Sequence, residues 1–194
     1  MSWLIPHGGY GQAPTPIAIT QTDLELLTPN ASVFTYTGVD IGTATTDRIV
    51  MIVTSSDRDG GNATATIDGD AMTVWYERTG PIVGFLYRAV PSGTTATIVV
   101  TMPATVGDNQ IGVYAITGAS TTLHDTANDR PSSGSAPSTT IDVAAAGGVI
   151  ASSFVDYSAY TWSWTGLTED YDHTAGSSNT AGAHDEFAAA ETGR

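Results

Sequence analysis

Three histidine–aspartate neighbours, His124-Asp125, Asp172-His173 and His184-Asp185, supply the side-chain types that ligate zinc or move protons. They sit in different parts of the chain, and adjacent residues of a strand point to opposite faces, so we read them as surface polar pairs and expect no metal site. Asp57-Arg58-Asp59-Gly60-Gly61-Asn62 gathers the carboxylate and amide oxygens that a hard cation needs. The twelve-residue calcium-loop spacing and its terminal Glu are missing, which leaves a turn whose Asp and Asn cap backbone amides. The acid pairs Glu169-Asp170 and Asp185-Glu186 are of the type glycosidases use, but no cleft or fixed separation can be read for them. Serine is abundant, yet no Gly-x-Ser-x-Gly elbow marks a nucleophile. We therefore expect no catalytic residue, no cofactor and no enzymatic activity. Trp162 and Trp164 share one face at period two; we read that face as core, the alternative being a platform that stacks on sugar rings.

The elements that would carry these residues are short. Val33–Tyr36, Arg48–Ser55, Ala63–Ile67, Met72–Arg78, Ile82–Val90, Thr95–Met102 and Gln110–Thr117 are rich in Val, Ile, Thr and aromatics, as strands are. Further strands are expected at Thr139–Val143, Gly148–Phe154, Tyr160–Trp164, Thr168–Tyr171 and Ala183–Ala189. Ile49-Val-Met-Ile-Val53 is continuously apolar, which predicts a central strand covered on both faces. Asp68-Gly69 between Thr66-Ile67 and Met72-Thr73-Val74 predicts a hairpin. Many strands at short spacing, with no sustained 3.6-residue period, predict an antiparallel, jelly-roll-like β-sandwich as one domain over residues 31–194. Ile49, Met51, Val53, Val74, Phe85, Ile98, Val100, Val113 and Ile150 are its expected core, between two sheets.

Residues 1–30 differ. Pro and Gly punctuate them, so they read as an extended arm with one short strand at most, near Ile17–Thr20. Trp3, Leu4, Ile5 and Tyr10 are apolar anchors through which such an arm would bind a partner. Gly118–Ser138 reads as a long polar loop open to proteolysis at Arg130, and Thr174–Gly182 as a second, flexible tip.

Bulk properties narrow the partners. The net charge is −14 and every basic residue is Arg, six in all, so nucleic acid and anionic membranes are disfavoured. Cysteine is absent, which excludes disulfides and Cys-ligated zinc. Met1–Pro6 shows neither a basic nor an apolar leader region, so synthesis in a cytoplasm is expected.

Four stretches look like a known protein type: Phe34-Thr-Tyr-Thr-Gly-Val-Asp-Ile-Gly42, Val90-Pro-Ser-Gly-Thr-Thr-Ala-Thr-Ile-Val-Val-Thr101, Ile111-Gly-Val-Tyr-Ala-Ile-Thr-Gly118 and Trp164-Thr-Gly-Leu-Thr-Glu-Asp-Tyr171. Here the chain resembles β-sandwich structural proteins of tailed bacteriophages, prophages and gene transfer agents. The resemblance spans about Ser32 to the end and brings no catalytic residue with it. It implies a virion component, such as a capsid decoration protein, a head fibre or a tail-associated protein. Its partners would be other virion subunits, further copies of the chain and a host surface glycan. Proteins of this type continue past a segment like Ala190–Arg194 into a last strand, a pattern from which this sequence departs. A carbohydrate-binding module is the alternative of a different class.

Overall fold

The computed structural model describes residues 16–56, 62–78, 82–119, 125–129, 137–155, 160–175 and 178–193. The expected partner-binding residues Trp3, Leu4, Ile5 and Tyr10 lie outside them, as do His124, Arg130 and most of the Asp57–Asn62 loop. The described residues form twelve strands: β1 (Ala18–Leu27), β2 (Ala31–Asp40), β3 (Ile49–Ser56), β4 (Thr64–Ile67), β5 (Asp70–Ala71), β6 (Thr73–Arg78), β7 (Ile82–Ala89), β8 (Thr95–Val106), β9 (Asn109–Thr117), β10 (Gly147–Val155), β11 (Thr168–Ala175) and β12 (Ser178–Phe187). Among the described residues no helix is long and apolar enough to cross a membrane.

The strands form three antiparallel sheets, ordered β1-β9-β3-β7-β6, β2-β8-β4-β5 and β10-β12-β11. The β-sandwich read from the sequence is present, but with a third layer. The five-stranded sheet is central. On one face Val50, Ile52, Leu86, Ile111 and Val113 meet Phe34, Tyr36, Ile98 and Val100 of the four-stranded sheet. On the other face Ile49, Met51, Val53, Tyr114 and Ile116 meet Tyr171 and Ile150 of the three-stranded sheet. β3 is buried at all eight positions, as its unbroken apolar run demands. Within the expected core, Val74 is the exception: it stands 37% exposed on β6, an edge strand of the central sheet. Phe85 and Ile150 are partly buried against the second core rather than enclosed in the first.

Asp68-Gly69 makes the expected hairpin. Both residues adopt positive φ (49° and 87°), the twist a two-residue turn needs between β4 and β5. The Asp68 carboxylate accepts the Thr97 amide at 2.8 Å, which ties the turn to β8.

The N-terminal reading needs correction. Residues 18–27 are not arm but a ten-residue strand along β9, from Ala18↔Thr117 to Leu27↔Asn109. A bulge between Gln21 and Asp23 breaks its alternation. Two other expected strands are absent: Tyr160–Trp164 is irregular, and of Thr139–Val143 only Val143 forms a bridge, to Glu191. The reading of Thr174–Gly182 as a flexible tip is corrected at its described residues: 174–175 end β11, 178–182 begin β12, and Ser178–Gly182 is fully buried.

One buried cation joins two loops. Arg48, 1% exposed, donates from Nε to the Val90 carbonyl (2.8 Å), from Nη1 to Gly42 (2.6 Å) and from Nη2 to Ser92 and Gly93 (2.8 and 3.0 Å). It binds the β2–β3 connection to the β7–β8 turn. Loss of hydration pulls its pKa below the ordinary arginine value, which the nearby charge of Asp40 partly offsets.

Candidate functional site

The polar cluster with the most chemistry lies between the central sheet and the β10-β12-β11 sheet. It is built on a bulge. β11 pairs with β12 from Ala175↔Ser178 back to Tyr171↔Gly182, then shifts register so that Glu169 faces Ala183. Asp170 is the extra residue. In a regular strand Asp170 and Tyr171 would point to opposite faces; the bulge lets both turn towards the central sheet.

There the Tyr114 hydroxyl donates to Asp170 Oδ2 at 2.9 Å, and His184 Nδ1 lies 2.7 Å from Asp170 Oδ1. The Asp170 side chain is 6% exposed and that of His184 18%. The two rings of Tyr114 and His184 meet edge to face, centroids 6.2 Å apart. Burial, with Tyr171 and Asp170 as neighbours, pushes the Tyr114 phenol far above its ordinary range. Burial does the same to Tyr171. Both phenols therefore stay protonated, and Tyr114 serves Asp170 as a donor. The cluster links β9, β11 and β12, and Asp170 spends one oxygen on each of its two partners.

The Tyr171 ring is the bolt of this interface. It occupies space left by two glycines on different sheets. A Cβ at Gly182 would fall 2.4 Å from Tyr171 Cε1 and 2.7 Å from the Tyr114 hydroxyl oxygen; one at Gly112 would fall 2.6 Å from the Tyr171 hydroxyl oxygen. Gly182→Ala is expected to destabilise the fold by about 3 kcal/mol, because a rigid ring and not a flexible tip must move. Urea denaturation measures this. Combining it with Tyr171→Leu should recover part of the loss, since the two sites share the contact. A wild-type midpoint for Gly182→Ala would mean the ring does not sit between the glycines.

The other sequence candidates fall apart or recombine. His184 does find a carboxylate, but it is Asp170 and not its neighbour Asp185. Asp172 pairs with no histidine in these contacts: its Oδ1 accepts Asn179 Nδ2 and its Oδ2 accepts the Trp162 backbone amide, both at 2.9 Å. It thus clips the irregular 160–167 segment to the sheet. Trp162 and Trp164 are half-buried and belong to none of the hydrophobic core clusters, so the reading of their face as core is corrected. Trp162 packs instead against Tyr160, centroids 4.6 Å apart, and Tyr160 is 37% exposed. Among the described residues no group of three or more His, Cys, Asp and Glu is placed to hold a metal ion. Two polar contacts went unread in the sequence. Thr180 Oγ1 donates to Gln110 Oε1 at 2.6 Å across the sheets. Asn109 takes a hydrogen bond from Tyr36 and gives one to Thr54, each 2.8 Å.

The fold and this cluster define a class: a helix-free, three-layered antiparallel β stack among the described residues, cross-linked between layers by buried polar side chains. No family model, no curated protein and no solved structure matches the chain.

Proposed function

We propose that the chain is a non-enzymatic structural component of a phage-like virion, placed on the capsid exterior as a decoration protein or head fibre. The observation that carries this reading is where the resembling stretches fall. Phe34–Gly42 covers the greater part of β2, Val90–Thr101 the turn into β8 and most of β8, Ile111–Gly118 most of β9, and Trp164–Tyr171 the lead into β11. They are scaffold strands drawn from all three sheets, which is what a shared architecture would preserve and a shared active site would not. The partners are other virion subunits, reached in part through Trp3, Leu4, Ile5 and Tyr10.

The test is mass spectrometry of particles purified from the genome that encodes the chain. The protein should be present at a fixed ratio to the major capsid protein. Deleting residues 2–15, which precede the described body, should abolish attachment and leave the melting temperature of the free protein unchanged. Absence from purified particles overturns the reading. A second reading, a glycan-binding module on a tail or adhesin, is favoured by one observation: the Tyr160–Trp162 ring pair lies outside the core. Glycan binding that is lost in Trp162→Ala would select it.

A further inference from the structure

The outer face of the four-stranded sheet is unlike the rest of this chain. Side chains alternate in burial along Val33–Thr37 of β2 and Thr95–Thr101 of β8, and over these stretches the outward set is Thr and Val. Register aligns it in rows: Val33 beside Thr101 beside Thr64, then Thr35 beside Val99 beside Thr66. Among the described residues Val33, 52% exposed, is the most open large hydrophobic, ahead of Val74 and Tyr160 at 37% each. No ionisable side chain stands in these rows, although the whole chain carries 20 acids and a net charge of −14. Of the acids on these strands and turns, Asp40, Asp68 and Asp70 lie at one end, where β8 begins opposite Asp40 and Thr97 binds Asp68, and Asp108, in the turn that follows β8, lies at the other.

We propose that this Thr/Val face binds a second copy of the chain, sheet against sheet. The argument is one of charge. Two bodies of −14 repel over most of their surfaces, and contact is least costly where neither presents a charge. A two-fold axis running along the Val33–Thr101–Thr64 row reverses the strands of one copy relative to the other and keeps the Asp40, Asp68 and Asp70 ends of the two copies apart. Rows of β-branched side chains about 6.8 Å apart can interdigitate as sandwich sheets do, about 10 Å apart. The face measures only about 400 Å² per copy from strand spacing, roughly half that of a standard stable interface. The association is therefore weak, with a Kd on the order of 100 μM. Inter-subunit repulsion opposes it, so salt strengthens it.

Sedimentation equilibrium of the full chain tests this. A monomer–dimer equilibrium should tighten by about tenfold between about 50 mM and about 0.5 M NaCl, as screening shortens from roughly 14 Å to roughly 4 Å. Thr101→Asp should abolish it. Thr101→Lys should abolish it as well, although it lowers the net charge, because a charge would then be buried in the contact. Thr64→Lys, at the open end of the same row, gives the same reading should either variant fold poorly. Three results overturn the proposal: a monomer at about 1 mM in high salt, association that survives these variants, or association that Thr101→Lys strengthens.

Discussion

Replacing Arg48 by Ala is expected to cost about 3–5 kcal/mol, a third or more of the stability of an ordinary domain. The guanidinium has four backbone carbonyls as acceptors, those of Gly42, Val90, Ser92 and Gly93, in a site where it is 1% exposed. Removing it leaves all four oxygens without the donor that holds them together. It also loosens the β2–β3 connection from the β7–β8 turn, which then keeps two main-chain bonds, from the Val90 amide to the Arg48 carbonyl (3.0 Å) and from the Ile41 amide to the Thr94 carbonyl (2.9 Å). Arg48→Lys should recover less than half of the loss, because an ammonium on a flexible stem cannot span acceptors spread over a planar fork. Urea denaturation gives both numbers, with an unchanged slope as the sign that the folded state keeps its extent. Near-wild-type stability of Arg48→Ala would show that the loops are held by other means.

Arg48 also shows what could be read from the sequence and what could not. Its strand was plain, because Ile49–Val53 is a buried run of β-branched residues and Met that needs cover on both sides. Its role was not, because the acceptors are main-chain oxygens, which no residue type announces. β2, β7, β8 and β9 were legible for the same reason as β3: their apolar residues are large. The second half of β12 falls within the expected Ala183–Ala189 strand, but its first half, Ser178–Gly182, reads as a flexible tip because β12 is the middle strand of the outer sheet. Tyr171 and Tyr114 fill the space on its inner side, so Gly182 must be small, and Ala181 and Ala183 are fully buried beside it. A strand built of Ser, Thr, Ala and Gly has no hydrophobic period to detect. β1 was shortened by its bulge at Thr22, which puts Leu24, Leu26 and Leu27 out of step with Ile19. The Asp170–His184 contact follows only once β12 is placed: with Ala175 paired to Ser178, antiparallel counting brings residue 170 to 183, and the bulge delivers its carboxylate to His184.

Raising the pH above about 10 should unfold the protein steeply, and the three buried phenols set the slope. Tyr36, Tyr114 and Tyr171 are 2%, 0% and 9% exposed. Burial, chiefly, holds all three pKa values far above the ordinary phenol value. Tyr36 donates to the Asn109 side chain and carbonyl in the first core, and Tyr114 to Asp170 in the second. In the unfolded chain the same phenols ionise near pH 10, as free tyrosine does. A raised folded value means that their full contribution is present below that pH. Above it, the unfolded state releases protons that the native state keeps, and stability falls as the pH climbs towards the folded values. Each phenol removes about 1.4 kcal/mol per pH unit, so three together remove about 4 kcal/mol per unit. Urea midpoints at about pH 9, 10 and 11, with tyrosinate absorbance followed alongside, measure the slope. Tyr36→Phe should flatten it by about a third, because it takes one phenol out of the linkage and leaves the ring in place. If stability at about pH 11 matches that at about pH 9, or if these tyrosines ionise while the protein remains folded, the two cores do not enclose them as described.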